Sequence, residues 1–288
     1  VLGCFLLALP PAVRSQSTEI QMLSGHGKDD PVPWKFLCTT GTNSGIWTNL
    51  PVPSQWDVKG FGTLNYHKDQ SNAWNEHGLY EHEFVVSKDW ADKRIFLVFD
   101  GAMTDTDAKL NGQSVGPLHQ GSFYRFKYEV TALVKCGETN KLEVDVAKHS
   151  ANSSINRAER LADYWVFGGI YRPVYLEAVP QEFIRHVAIN ALADGTFTAD
   201  VQLNSATNTD EIEAQIQTLD GKDVGDVFRS SLASSVEAQQ LKSQIASPKL
   251  WTAETPNLYQ AGFQLKRDGK VIHQITQRFG FRTFEVRD

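Results

Sequence analysis

Side chains able to do chemistry are spread thinly along the 288 residues. Cys38 and Cys136 have no second Cys or His at short spacing, so neither opens a metal site. His67, His77, His82 and His119 also lack ligand spacing and read as surface or hydrogen-bonded core residues. Arg172 and Arg282 carry guanidinium forks suited to carboxylate partners at a domain boundary. Seven Trp offer flat faces that could stack on sugar rings, although aromatic residues more often fill sandwich cores. Trp251, in Pro248-Lys249-Leu250-Trp251, reads as such a core plug. Asp163 stands two residues before Trp165 and just ahead of Gly168-Gly169, and locally it reads as a turn-forming Asp. The two glycines read as a place where backbones pass closely or the chain turns.

Composition narrows the function classes. Hydrophobic residues at 41% and charged residues at 22% are ordinary for a folded globular chain. A net charge of −6 without a Lys/Arg block argues against nucleic acid or an anionic membrane surface as partner. The apolar run Leu2 to Leu9 is too short to span a bilayer, which needs about 20 residues. It leads through Pro10-Pro11 to Val13-Arg14-Ser15, which suit a signal-peptidase cut. Residues 1–15 are therefore expected to be a signal peptide, clipped ahead of its apolar run, with export to the periplasm or the extracellular space. Cys4 precedes most of that run, contrary to a lipoprotein box, so no lipid anchor is expected. Two cysteines then remain, Cys38 and Cys136. Their spacing says nothing about distance, so pairing stays open and free, buried thiols are the preferred reading.

The elements that must hold these residues are strands. Ile95 to Phe99 is a continuous apolar run, as in a strand buried on both faces. Leu142, Val144 and Val146 alternate with polar residues, and so do Val174, Leu176 and Ala178. The same period recurs over Phe197–Leu203, Ile212–Ile216 and Ala261–Leu265. Asn111-Gly112, Asp220-Gly221 and Asp268-Gly269 sit where type I′ hairpins would turn. Leu232, Val236, Leu241 and Ile245 instead suggest one face of a short helix. Nothing resembles the eight helices of a (β/α)₈ barrel. The expected fold is all-β, with a boundary near Pro180-Gln181 and a sandwich of immunoglobulin size after it.

Several strings in order resemble the front half of β-galactosidase-type family 2 glycoside hydrolases. They run from Pro51-Val52-Pro53-Ser54-Gln55-Trp56 and Gly60-Phe61-Gly62, through Gly78-Leu79-Tyr80 and Leu110-Asn111-Gly112, to Asp163-Tyr164-Trp165. Gly168-Gly169-Ile170-Tyr171-Arg172-Pro173-Val174, Glu254-Thr255-Pro256-Asn257-Leu258-Tyr259 and Phe279-Gly280-Phe281-Arg282 complete the set. Each string is weak alone; their order and spacing over residues 33–288 are specific.

The resemblance implies a galactose-binding-like jelly roll over residues 16–180 and an immunoglobulin-like sandwich over 181–288. It also implies a parent enzyme whose TIM barrel lies beyond this chain. A retaining glycosidase needs two carboxylates about 5 to 5.5 Å apart. The family carries both on that barrel, so no catalytic residue is expected here and this segment alone should hydrolyse nothing. Asp163 is expected to reach the substrate pocket, accepting hydrogen bonds from sugar hydroxyls and serving in some members as a cation ligand. Asn65 would stand at the pocket edge. No cofactor is required, and a Na or Mg ion is the one addition the resemblance allows. The partners implied are an oligo- or polysaccharide, probably a β-galactoside, and the chain's own barrel; self-association into a homo-oligomer stays open. A free-standing carbohydrate-binding or lectin-like module is the competing reading.

Overall fold

Alternation of buried and exposed side chains along each strand decides this architecture, because each strand must turn one face to a core. The computed structural model describes residues 17–66, 75–161, 163–206, 210–233 and 235–285. The signal-peptide segment and His67 lie outside the described residues. Two compact units divide the chain, one of residues 19–181 and one of 182–288 together with the N-terminal residues through Thr18. No described helix is long and apolar enough to cross a membrane.

The first unit contains β1 (Glu19–Met22), β2 (Val32–Cys38), β3 (Thr48–Val52), β4 (Asn65–Tyr66), β5 (His77–Val85) and β6 (Arg94–Phe99). It continues with β7 (Asp105–Leu110), β8 (Gln113–Ser114), β9 (Phe126–Glu129), β10 (Thr139–Ala147), the helix α1 (Ser153–Glu159), β11 (Trp165–Val166) and β12 (Val174–Val179). A six-stranded sheet, ordered β3-β2-β5-β10-β7-β8, and a four-stranded one, β1-β12-β6-β9, form the jelly roll. Every named strand pair in it is antiparallel. Its core joins Trp34, Phe36, Trp56 and Tyr80 to Leu97, Phe99, Val144 and Leu176. Phe36 stands at the centre, 4.9 Å from Tyr80, 5.3 Å from Phe61 and 6.1 Å from Trp56 between ring centroids. Burying aromatic area of this kind stabilises by roughly 1.5–3 kcal/mol per side chain.

The second unit pairs a three-stranded sheet with a four-stranded one. Its strands are β13 (Ile184–Ala191), β14 (Thr196–Leu203), β15 (Asp210–Thr218), β16 (Asp223–Ser231), β17 (Ala238–Gln244), β18 (Tyr259–Arg267) and β19 (Lys270–Phe279). The sheet orders are β13-β14-β17 and β16-β15-β18-β19. Phe197, Val201, Ile212, Phe263, Leu265 and Phe281 fill the space between them.

All six strand patterns read from the sequence are strands here. Asn111-Gly112 and Asp268-Gly269 have positive φ at both residues, as type I′ turns require. Asp220-Gly221 differs: only Gly221 has positive φ, and the turn is widened by the Thr218 N–H to Lys222 O bond of 2.9 Å. The helix expected around Leu232–Ile245 is a further difference. Residues 238–244 form β17 at a sheet edge, with Leu241 opposite Ala199 of β14. Ala, Gln and Lys fill its solvent side, and their helical propensity yields to backbone pairing with β14. Cys38 is buried and Cys136 half-buried, both as free thiols.

Candidate functional site

The strands β4 and β11 make a two-stranded ribbon, with Trp165 opposite Tyr66 and Val166 opposite Asn65. Both strands are short because strong local constraints surround them. Gly168 and Gly169 follow β11, and a Cβ on Gly168 would stand 2.1 Å from Trp56 Cζ2. Gly169 has φ of 133° and its backbone lies against Ser54 O, so both positions demand glycine.

Asp163 is exposed just before β11, and its Oδ1 accepts a hydrogen bond from the Tyr66 phenol. That bond pushes the Tyr66 phenol pKa upward, because ionising the phenol would set two negative oxygens together. Trp165 is 46% and Tyr66 43% exposed, and their rings meet edge to face at 5.2 Å. Asn65 is only 6% exposed, and its Nδ2 has no hydrogen-bond partner among the described residues. The two residues singled out from the sequence thus share one ribbon, but with different exposure. Asp163 faces solvent, whereas Asn65 is buried one residue from Tyr66.

Beneath the ribbon lies a group of charges that sequence reasoning missed. The side chains of Lys148, Asp57 and Glu76 are wholly buried. Lys148 donates to Asp57 Oδ1, to Thr63 O and, at 3.1 Å, to Glu76 Oε1. Asp57 Oδ2 accepts from the Gly168 N–H at 2.8 Å. Glu76 accepts from Trp56 Nε1 and from the Thr63 N–H, each at 2.8 Å. One lysine and two carboxylates thereby pin the segments leading into β4 and out of β11. Burial pulls the Asp57 carboxyl pKa upward, and Lys148 opposes that pull. Arg160, just past α1, is 1% exposed and donates to Phe167 O at 3.1 Å and to Ser122 Oγ at 3.3 Å. Burial lowers its pKa. His149 is held far down, to about 4, by burial and by the nearby Arg160 and Lys148 charges.

A signal for part of this was present. Lys148 continues the core phase of Leu142, Val144 and Val146, and Glu76 continues that of Gly78 and Tyr80. A charged residue in core phase implies a buried partner.

The remaining candidates fall elsewhere. Trp251 is half-buried rather than a core plug, and Arg282 lies 5.0 Å from its ring and 4.9 Å from that of Phe284. These three line a cavity of about 590 Å³ in the second unit. Arg172 donates to the Asp100 and Phe123 carbonyls and lies 5.1 Å from the Tyr171 ring. Backbone oxygens and ring faces thus replace the carboxylates expected for both arginines. His82 stacks on Trp34 at 4.7 Å and His119 on Phe126 at 3.6 Å, so both are packing residues. Among the described residues no cluster of three or more His, Cys, Asp or Glu is arranged to hold a metal ion. A lone Asp163 carboxylate falls short of the six or so oxygens that such hard cations take, so these residues do not by themselves fit a cation.

Two stacked antiparallel sandwiches, the first carrying a pinned ribbon with an open carboxylate and two aromatic rings, define a carbohydrate-binding class of protein. Comparison with known families makes this specific. Residues 43–180 match the glycosyl hydrolases family 2 sugar binding domain, and residues 181–282 match the glycosyl hydrolases family 2 domain. The chain belongs to glycosyl hydrolases family 2. It is 30% identical over 228 residues to a β-galactosidase of Clostridium acetobutylicum, covering 76% of this chain and 24% of that protein. It is 27% identical over 302 residues to a β-glucuronidase of Bacteroides fragilis, covering 98% of this chain and 40% of that one. A solved structure, the Bifidobacterium dentium β-glucuronidase with coumarin-3-O-glucuronide, shares the fold with a TM-score of 0.72 at 22% identity. That likeness covers 95% of this chain and 50% of the other. The chain thus spans two fifths or less of these two curated relatives.

Proposed function

We propose that this chain is the non-catalytic front portion of an exported family 2 glycosidase that hydrolyses β-galactosides. In this reading Asp163 and Asn65 complete the glycone pocket of a catalytic barrel that follows in the same polypeptide. The observation that carries it is the ribbon: an exposed Asp163 oriented by Tyr66 beside Trp165, inside the segment matching the family's sugar binding domain. A carboxylate accepts hydrogen bonds from two neighbouring hydroxyls, and an aromatic face covers the apolar face of a sugar ring. Residues 1–15 act in this proposal as the export signal. A β-glucuronide substrate is the second reading, supported by the β-glucuronidase relative that covers 98% of the chain.

The chemistry needs an acid/base and a nucleophile on opposite sides of the scissile bond. The proposal assigns neither to this chain. Its residues bind and orient: Tyr66 holds Asp163, and Lys148 with Asp57 and Glu76 holds the ribbon. Expressing residues 16–288 alone, and again with the coding sequence that follows, tests this with aryl β-galactosides and aryl β-glucuronides. No turnover is expected from the shorter protein, and turnover of one substrate from the longer. Turnover by the shorter protein would end the proposal, and so would a gene that closes after Asp288. The latter would leave a free-standing sugar-binding module.

A further inference from the structure

The outer face of the six-stranded sheet is electrically lopsided. Register and alternation place Lys35, Glu81, Lys141 and Glu143 on one half of it. These close into ion pairs, with Lys35–Glu81 at 2.8 Å, Lys141–Glu81 at 3.0 Å and Lys141–Glu143 at 3.2 Å. The other half carries Asp105, Asp107 and Asp145, with Asp107 directly opposite Asp145 on the neighbouring strand. Like charges placed so cost stability. Only His77 answers them on this face, its Nδ1 lying 2.7 Å from Asp145 Oδ1.

This half lines a cavity of about 490 Å³ whose walls include all three aspartates, His77 and Asn156. No lining residue belongs to the β4–β11 ribbon. A second, independent feature points to a ligand. Asp105 is 95% buried, calculated from its 5% exposure, and lines the cavity. Its Oδ2 accepts from Gln120 Nε2 at 3.0 Å and from the Ala151 N–H at 2.8 Å, whereas its Oδ1 has no partner. A buried carboxylate oxygen left unsatisfied costs free energy that a donor from a ligand would recover.

We propose that this cavity binds a protonated amine borne on a small polyol, an amino sugar being the form in which a sugar-binding domain would meet it. Uncompensated carboxylates favour a cation over a neutral ring. An ammonium supplies three donors for Asp105, Asp107 and Asp145, and the sugar hydroxyls occupy the remaining volume. A metal ion is disfavoured, because these side chains are not arranged to ligate one.

Calorimetric titration of the whole 288-residue chain with D-glucosamine, at a pH where its amine is protonated, tests this. Galactose, N-acetylglucosamine and magnesium chloride serve as comparison titrants. Saturable one-to-one binding of glucosamine alone is expected. Asp107→Asn and Asp145→Asn should each weaken it about tenfold or more, the usual result of neutralising one partner in a charge-assisted hydrogen bond. Asp163→Ala should leave it unchanged, so the outcome is independent of the pocket role proposed for the ribbon. Asp107 is half-exposed, and amide shifts confined to β7 and β10 on titration would locate the site even if a variant folded poorly. Equal binding of galactose or N-acetylglucosamine, saturation by magnesium with displacement of glucosamine, or no binding of glucosamine would each overturn the proposal.

Discussion

The two sandwiches solve the same folding problem with different interiors. In the second unit the buried polar side chains are few and locally satisfied. Asp210 takes both prongs of Arg267, its neighbour in register, at 2.7 and 2.9 Å. His273 accepts from the Ile184 N–H at 3.1 Å. The jelly roll instead buries Lys148, Asp57, Glu76, Arg160 and His149, gathered from distant parts of the chain beside one short ribbon. Taking such groups out of water is expensive, and an apolar filling would serve stability as well or better. The difference teaches that this interior is organised around holding a surface feature in place, whereas the second unit's interior holds itself together.

If so, breaking the charge group should cost the first unit far more than an ordinary polar substitution. Lys148→Met removes one cation from between two buried carboxylates and should destabilise by about 3–5 kcal/mol. Urea unfolding followed through the amides of β5 and β10 would measure it. A loss below about 1 kcal/mol would show that water or alternative partners compensate, and the contrast between the interiors would fail.

Acid should separate the units next. His149 is 3% exposed, and its pKa is about 4 in the fold against 6.5 for a free histidine. A base whose pKa is lowered on folding binds its proton more readily when unfolded, so stability falls as pH drops through that window. The His149 contribution is full above pH 6.5 and lost by pH 4, amounting to about 2–3 kcal/mol at the rate of 1.36 kcal/mol per pH unit. Stability measured across this range should flatten in His149→Gln. An identical slope in the variant would remove His149 from the account.

Gly168→Ala sets a methyl group against the Trp56 ring, where no flexible side chain can yield, and should cost about 1–3 kcal/mol. Disturbance of the ribbon should accompany it, read as altered amide shifts at Tyr66 and Trp165. A neutral substitution would mean that the close approach of Gly168 and Trp56 is dispensable.

The sandwiches themselves were legible from period-two alternation, and the glycine pair from its string beside Trp165. The helix expected near Leu241 failed because an edge strand with one buried residue looks like a helix by composition. Asp163 and Asn65 were legible only through resemblance; nothing local to either says that Tyr66, 97 residues away, would meet Asp163. The pinning charges were harder still. Lys148 and Asp57 are 91 residues apart, Lys148 and Glu76 are 72, and only the core phase of the lysine and the glutamate hints at the pairing.

The central claim is that the pinned ribbon exists to present Asp163 to a sugar, and Asp163→Ala tests it most directly in the polypeptide extended through the barrel. Both kcat/KM and the melting temperature should be measured on that one variant. Loss of a charge-assisted hydrogen bond to substrate predicts a fall in kcat/KM of roughly tenfold to a hundredfold, with melting nearly unchanged because the side chain is exposed. A lowered melting temperature with near-normal kinetics would contradict the account and leave Asp163 as a turn residue that holds Trp165.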